Sequence, residues 1–130
     1  MNDNSYSPTG APSDENVHVA SSGGDDVREL ATIPAVEVVT RSIVMLMSAA
    51  AEKIGPEAGG DEEYRDLAEA RSLINALAGL VMAASPDLGL HRKPILDGLK
   101  ALQLAFREAS AFPDEPGAGP GEKSTGPVTG

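Results

Sequence analysis

The sequence predicts an all-α fold, a small three-helix bundle with disordered N- and C-terminal tails. Three stretches repeat apolar residues with the period of a core-facing helix, over about residues 34–54, 62–84 and 94–110. Aromatic residues make up 3% of the 130 residues and Trp is absent. A core of Leu, Ile, Val, Met and Ala favours helix packed on helix. Residues 25–110 are therefore expected to form one helical domain.

The first helix is expected to begin at Pro34 and to end at Gly55. Proline suits the first helical position because its missing N–H is not needed there, and glycine commonly follows the last turn. Its core face combines seven apolar residues: Val36, Val39, Ile43, Leu46, Met47, Ala50 and Ile54. These residues predict a helix that packs against the other two.

Three more apolar residues of this helix, Val38, Val44 and Met45, lie outside the core face. They widen the apolar arc beyond what one neighbouring helix covers. Residues 42–51, the longest run without a charge, reach about half of the ~20 apolar residues that a membrane span needs. A bundle of this size is often marginal alone. We therefore predict a homodimer that uses Val38, Val44 and Met45, and no membrane contact.

The second helix carries an apolar face made of Leu67, Ala70, Leu73, Ile74, Leu77, Leu80, Val81 and Ala84. The acids Asp61, Glu62 and Glu63 stand where its N-terminus is expected, and the helix dipole favours acids there. They lack the spaced oxygen ligands and constraining glycine of a calcium loop. Capping is therefore the interpretation, and no metal site is predicted.

The third helix is expected to open at Pro94, with its core face formed by Ile95, Leu99, Leu102, Phe106 and Ala109. Gly98, at the edge of that face, predicts a close contact with another helix. Leu104 points the other way, among charged residues, and is a candidate partner contact.

Both ends of the chain have the composition of disordered segments. Residues 1–24 form a polar acidic tail with little apolar content, and residues 111–130 form a Pro/Gly-rich tail that we expect to be flexible. The C-terminal tail is either a short docking element or merely a mobile end. In the docking hypothesis Phe112, Glu122 and Lys123 are candidate partner contacts.

The net charge of −10 argues against direct nucleic-acid binding, because phosphate repels such a chain. No Cys is present, so disulfides and thiolate metal sites are excluded. The first residues show no basic segment followed by an apolar one, so no secretory signal is visible and a cytoplasmic location is expected.

No catalytic constellation is visible either. His18 and His91 fall in loops, without a nucleophile or paired carboxylates beside them. Residues 121–125, GEKST, superficially resemble a phosphate-binding loop, but Glu122 separates glycine from lysine and no strand precedes it. We therefore predict neither an enzyme nor a bound cofactor.

Three stretches resemble a bacterial family, common in actinobacteria, that is catalogued as domain of unknown function 1844. They are IPAVEVVTRSIVMLMSAAAEKIG, RDLAEARSLINALAGLV and LDGLKALQLAFREASAFPDEPGAGPGEKSTGP, and together they cover about residues 33–127. The family implies no biochemical activity. Its members are often encoded near translation initiation factor 3 and ribosomal proteins, so the resemblance implies a link to translation. The longer acidic N-terminal tail, and Ser124 where the family has an aromatic residue, depart from that pattern.

The function expected from the sequence is that of a non-enzymatic cytoplasmic interaction protein, with a second copy and a protein of the translation machinery as partners. The alternative is a helical bundle that binds a small molecule or a metal. Its support is weak because the inward faces carry no Glu-x-x-His motif and almost no acids.

Overall fold

The computed structural model describes residues 29–129. Three main helices pack together: α1 (Ala35–Ile54), α2 (Leu67–Ala84) and α3 (Arg92–Ala109). A one-turn helix, α4 (Glu122–Thr125), follows near the end of the chain. The described range contains no strand, so the all-α prediction is confirmed. The predicted disordered tail over residues 1–24 lies outside the described residues.

The described residues belong to two compact units, 29–38 and 39–129. In the first unit, the N–H groups of Thr32 and Ile33 donate to the carbonyls of Glu29 and Leu30 at 3.0 and 3.1 Å. The carbonyl of Pro34 then accepts from two N–H groups of the first turn of α1. Pro34 thus stands directly before α1, close to the predicted start.

The core of the second unit is apolar and contains the residues that the helical periodicity predicts. In α2, Ala70, Ile74, Leu77 and Val81 are fully buried, and the rest of the predicted face is partly buried. The largest fully buried side chains of the unit come from all three main helices: Ile43, Ile54, Ile74, Leu77, Val81 and Leu99. Burial of this size stabilises the fold by about 1.5–3 kcal/mol per large side chain.

The segment Leu67–Asp87, which contains α2, is long and apolar enough to cross a membrane by length and composition alone. A helix buried in a protein core meets the same criterion, and α2 supplies five of the buried core residues. Position in the bundle core therefore accounts for these five residues of α2.

The second helix begins at Leu67, five residues later than the sequence suggests, because Asp66 caps it. The carboxylate of Asp66 accepts the N–H of Glu69 at 3.1 Å, which satisfies a donor of the first turn. Asp61 caps a separate 3₁₀ turn, Glu62–Tyr64, by accepting the N–H of Glu63 at 3.0 Å. Of the three acids only Asp61 acts as a cap, and it caps this turn, so the prediction that they cap the main helix is wrong.

The third helix begins at Arg92, so Pro94 occupies its first turn instead of its first position. Proline is tolerated there because the first N–H groups of a helix have no partner within the helix. Gly98 lies close to α1, as predicted, because a Cβ added at this position would overlap the terminal methyl group of Met47. This glycine makes room for the Met47 side chain between the two helices.

Candidate interaction surfaces

The C-terminal segment, residues 112–129, differs from the expected flexible tail because it packs on α2 and α3. Pro120 and Gly121 are buried. The N–H of Gly121 donates to the Asn75 side-chain carbonyl at 2.7 Å. The Gln103 side-chain amide donates to the carbonyl of Pro120 and to the hydroxyl of Thr125, each at 3.1 Å. Two amide side chains from the helices therefore hold the segment.

The Glu122 side chain holds the C-terminal segment together by accepting hydrogen bonds from its backbone. One carboxylate oxygen accepts the N–H groups of Gly117 and Gly119, both at 2.9 Å, and the other accepts the N–H of Val128 at 2.8 Å. A Pro/Gly-rich chain forms no long helix, so its N–H groups need acceptors elsewhere, and this carboxylate supplies them. Glu122 thus stabilises the segment, a role that its sequence neighbours do not reveal.

The start of the segment is held by arginines. Arg71 forms a salt bridge with Asp114 at 2.8 Å, as Nη2 to Oδ2, and its guanidinium lies 5.1 Å from the centroid of the Phe106 ring. Arg107 donates to the carbonyl of Asp114 at 3.1 Å. Asp114 therefore ties the segment to both α2 and α3.

The candidate partner contacts have different surroundings in the structure. Phe112 is 93% exposed and borders a shallow cleft of about 290 Å³ that Leu67 and Ala68 also line. Lys123 is exposed. Leu104 is half-buried and lines a small pocket with residues of the C-terminal segment, such as Val128. Phe112 is thus the candidate with the largest accessible apolar surface.

A polar cleft of about 480 Å³ lies between α2 and part of the C-terminal segment. Its polar side chains are Arg71 and Asn75 from α2 and Lys123 and Ser124 from the segment, which also lines the cleft with Ala118 and three glycines. Two cations on one cleft are unusual in a chain with a net charge of −10.

The exposed face of α1, formed in the second unit by Val44, Met45, Ser48 and Glu52, includes two of the three residues predicted to self-associate. Val44 is 53% exposed and Met45 is 72% exposed. Val38 is half-buried and belongs to the first unit.

The groups that could carry acid–base or metal chemistry are sparse in residues 29–129. No three His, Cys, Asp or Glu side chains in that range lie close enough to hold a metal ion. The pKa of Glu57 is lowered by a backbone hydrogen bond and by its contact with Arg65, while desolvation acts in the opposite direction. This pair ties the loop after α1 to the end of that helix, because Arg65 also donates to the carbonyl of Ile54 at 2.9 Å.

Comparison of the chain with protein-family models, curated proteins and solved structures found no match. The resemblance to domain of unknown function 1844 therefore stays a prediction.

Proposed function

We propose that this chain is a non-enzymatic interaction protein that forms a homodimer through the exposed face of α1. The observation that carries the proposal is the exposure of Val44 and Met45 in the middle of a helix whose other side is buried in the core. Burying Met45 against a second copy would stabilise the pair by about 1.5–3 kcal/mol per side chain.

The pattern of side chains along α1 favours a second copy as the occupant of this face. In an antiparallel pair whose two-fold axis passes level with the Leu46–Met47 peptide bond, Met45 faces Ser48 of the second copy. A large side chain then lies over a small one, which suits close helix packing. The same register brings Arg41 opposite Glu52 of the second copy. A guanidinium has five N–H donors, so Arg41 can make this contact in addition to the one it has within the chain.

Replacement of Met45 by Glu tests the proposal. In the dimer the new carboxylate lies at the interface next to its symmetry mate, so we expect the dissociation constant to rise at least about tenfold, which corresponds to about 1.4 kcal/mol. Sedimentation equilibrium of the full chain measures this change.

Leu90→Glu is the matched control, because Leu90 is 96% exposed and belongs to the turn Gly89–His91, not to α1. This variant introduces the same charge and should leave the dimer unchanged. A wild-type chain that stays monomeric at every concentration, or equal weakening by both variants, would contradict the proposal.

A protein of the translation machinery is the second partner that we propose, and Phe112 is the contact. The resemblance to domain of unknown function 1844 is the reason for choosing a translation protein as the partner. The structure adds an observation in its favour: a nearly fully exposed aromatic ring on a turn whose neighbour Asp114 is anchored by Arg71 and Arg107. Aromatic side chains, Phe included, are enriched at protein interfaces.

Affinity capture from native lysate with Phe112→Ser beside the wild-type chain tests this partner. We expect initiation-factor or ribosomal proteins to be enriched by the wild-type chain and lost with the variant. Leu90→Ser is the control for loss of an exposed apolar side chain. Enrichment that is unchanged by Phe112→Ser would contradict the role of Phe112, and capture without any translation protein would contradict the choice of partner.

A further inference from the structure

The polar cleft between α2 and the C-terminal segment contains hydrogen-bond donors that the fold leaves unused. The Asn75 side-chain oxygen accepts the N–H of Gly121, so the NH₂ group of the same amide is left as a donor. Within residues 29–129 the Lys123 ammonium and the Ser124 hydroxyl make no hydrogen bond or salt bridge. Arg71 uses one nitrogen for Asp114, which leaves its other N–H groups.

The acids nearest to the cleft are already engaged. Asp114 is paired with Arg71. Both carboxylate oxygens of Glu122 accept backbone N–H groups, and this side chain lines a different pocket, on the side of α3. No Asp or Glu lines the polar cleft itself. The cleft therefore offers hydrogen-bond donors from two separate elements, α2 and α4, and the charge of Lys123, which no Asp or Glu within residues 29–129 pairs with.

The geometry points to a binding site for a small phosphate-bearing molecule in this cleft. A phosphate group has several acceptor oxygens that point in different directions, which suits donors arriving from Arg71, Asn75, Lys123 and Ser124. A carboxylate has two oxygens in one plane and would use fewer of these donors. The cleft volume, about 480 Å³, lies in the range of small-molecule sites. This inference is independent of the proposed dimer.

Titration of the full chain with inorganic phosphate and with pyrophosphate, at low ionic strength and followed by amide NMR, tests the site. We expect saturable shifts confined to the amides of residues 71–75 and 117–124. Lys123→Gln should weaken binding about tenfold, the loss expected for one charge-assisted hydrogen bond. Met45→Glu should bind phosphate as the wild-type chain does, so failure of the dimer and failure of this site can be told apart.

Lys100→Gln is the matched control, since it removes the same charge from an exposed position on α3. Equal weakening by both lysine variants would show general charge attraction and overturn the site. Absence of saturable shifts would also overturn it. Acetate that binds as tightly as phosphate would overturn the choice of a phosphate-bearing ligand.

Discussion

Gly121 is the residue on which the packing of the C-terminal segment depends most directly. Its φ is +77°, in the left-handed region. A Cβ added there would lie 2.9 Å from Ala78 Cβ and 3.0 Å from Gln103 Nε2. No side chain fits between this residue and the two helices, so glycine serves both the backbone conformation and the close contact.

We expect Gly121→Ala to lower the free energy of unfolding by about 2–4 kcal/mol. About 1–2 kcal/mol comes from the left-handed backbone and the rest from overpacking against Ala78. Gly126→Ala is the matched control because Gly126 has a φ of +82° with nothing within 4 Å of the added Cβ. Urea denaturation measures both variants. Equal losses for the two would mean that the segment does not pack tightly on α2 and α3.

Local patterns in the sequence predict the helices but not the contacts of the C-terminal segment. The buried face of α2 can be predicted from the helical spacing of its apolar residues alone, because every turn of the helix places an apolar residue on the same side. The bond between Asn75 and Gly121 joins residues 46 positions apart, and nothing near either residue indicates the other. The start of α2 was missed for a related reason: several acids precede it, and only the backbone conformation shows that Asp66 is the cap.

At the scale of elements, the loop between α1 and α2 is held by Arg65. This side chain donates to the last carbonyl of α1, at Ile54, and pairs with Glu57 in the turn Pro56–Ala58. A cation at the C-terminal end of a helix is favoured by the helix dipole. Arg65 therefore holds the loop against the C-terminal end of α1, just before α2 begins.

The backbone hydrogen bond that Glu57 accepts, together with its contact with Arg65, should make stability depend on pH. The pKa of Glu57 is lowered in the folded chain, so its ionised form stabilises the fold at neutral pH. The stabilisation is lost as the pH falls through that lowered pKa, because the carboxyl group is then protonated in both states.

Glu57→Gln should consequently be less stable than the wild-type chain at pH 7 and should approach it in acid, once the pH has fallen through the lowered pKa of Glu57. Urea denaturation across this range gives the difference. Glu115→Gln, at an exposed acid, is the control and should show no such trend. A Glu57→Gln deficit that persists unchanged in acid would contradict the role of the carboxylate charge.

At the scale of the whole molecule, the chain combines a bundle of three main helices with a C-terminal segment that packs on two of them. The packed segment leaves Phe112 exposed and forms one wall of the polar cleft. The described hydrogen bonds of that segment to the main helices are made with α2 and α3, and none of them is made with α1. The proposed dimer therefore uses a different element from the Phe112 contact and the polar cleft, and it can be altered independently of both.

Cross-linking is a direct test of the proposed dimer formed through α1. The chain has no Cys, so Ser48→Cys introduces a single thiol. In the proposed register the Cα atoms of the two substituted residues lie about 6–7 Å apart, close to the disulfide range. Mild oxidation is expected to give a covalent dimer for Ser48→Cys and little for Leu90→Cys. Equal cross-linking of both variants, or none for Ser48→Cys, would contradict the proposed dimer.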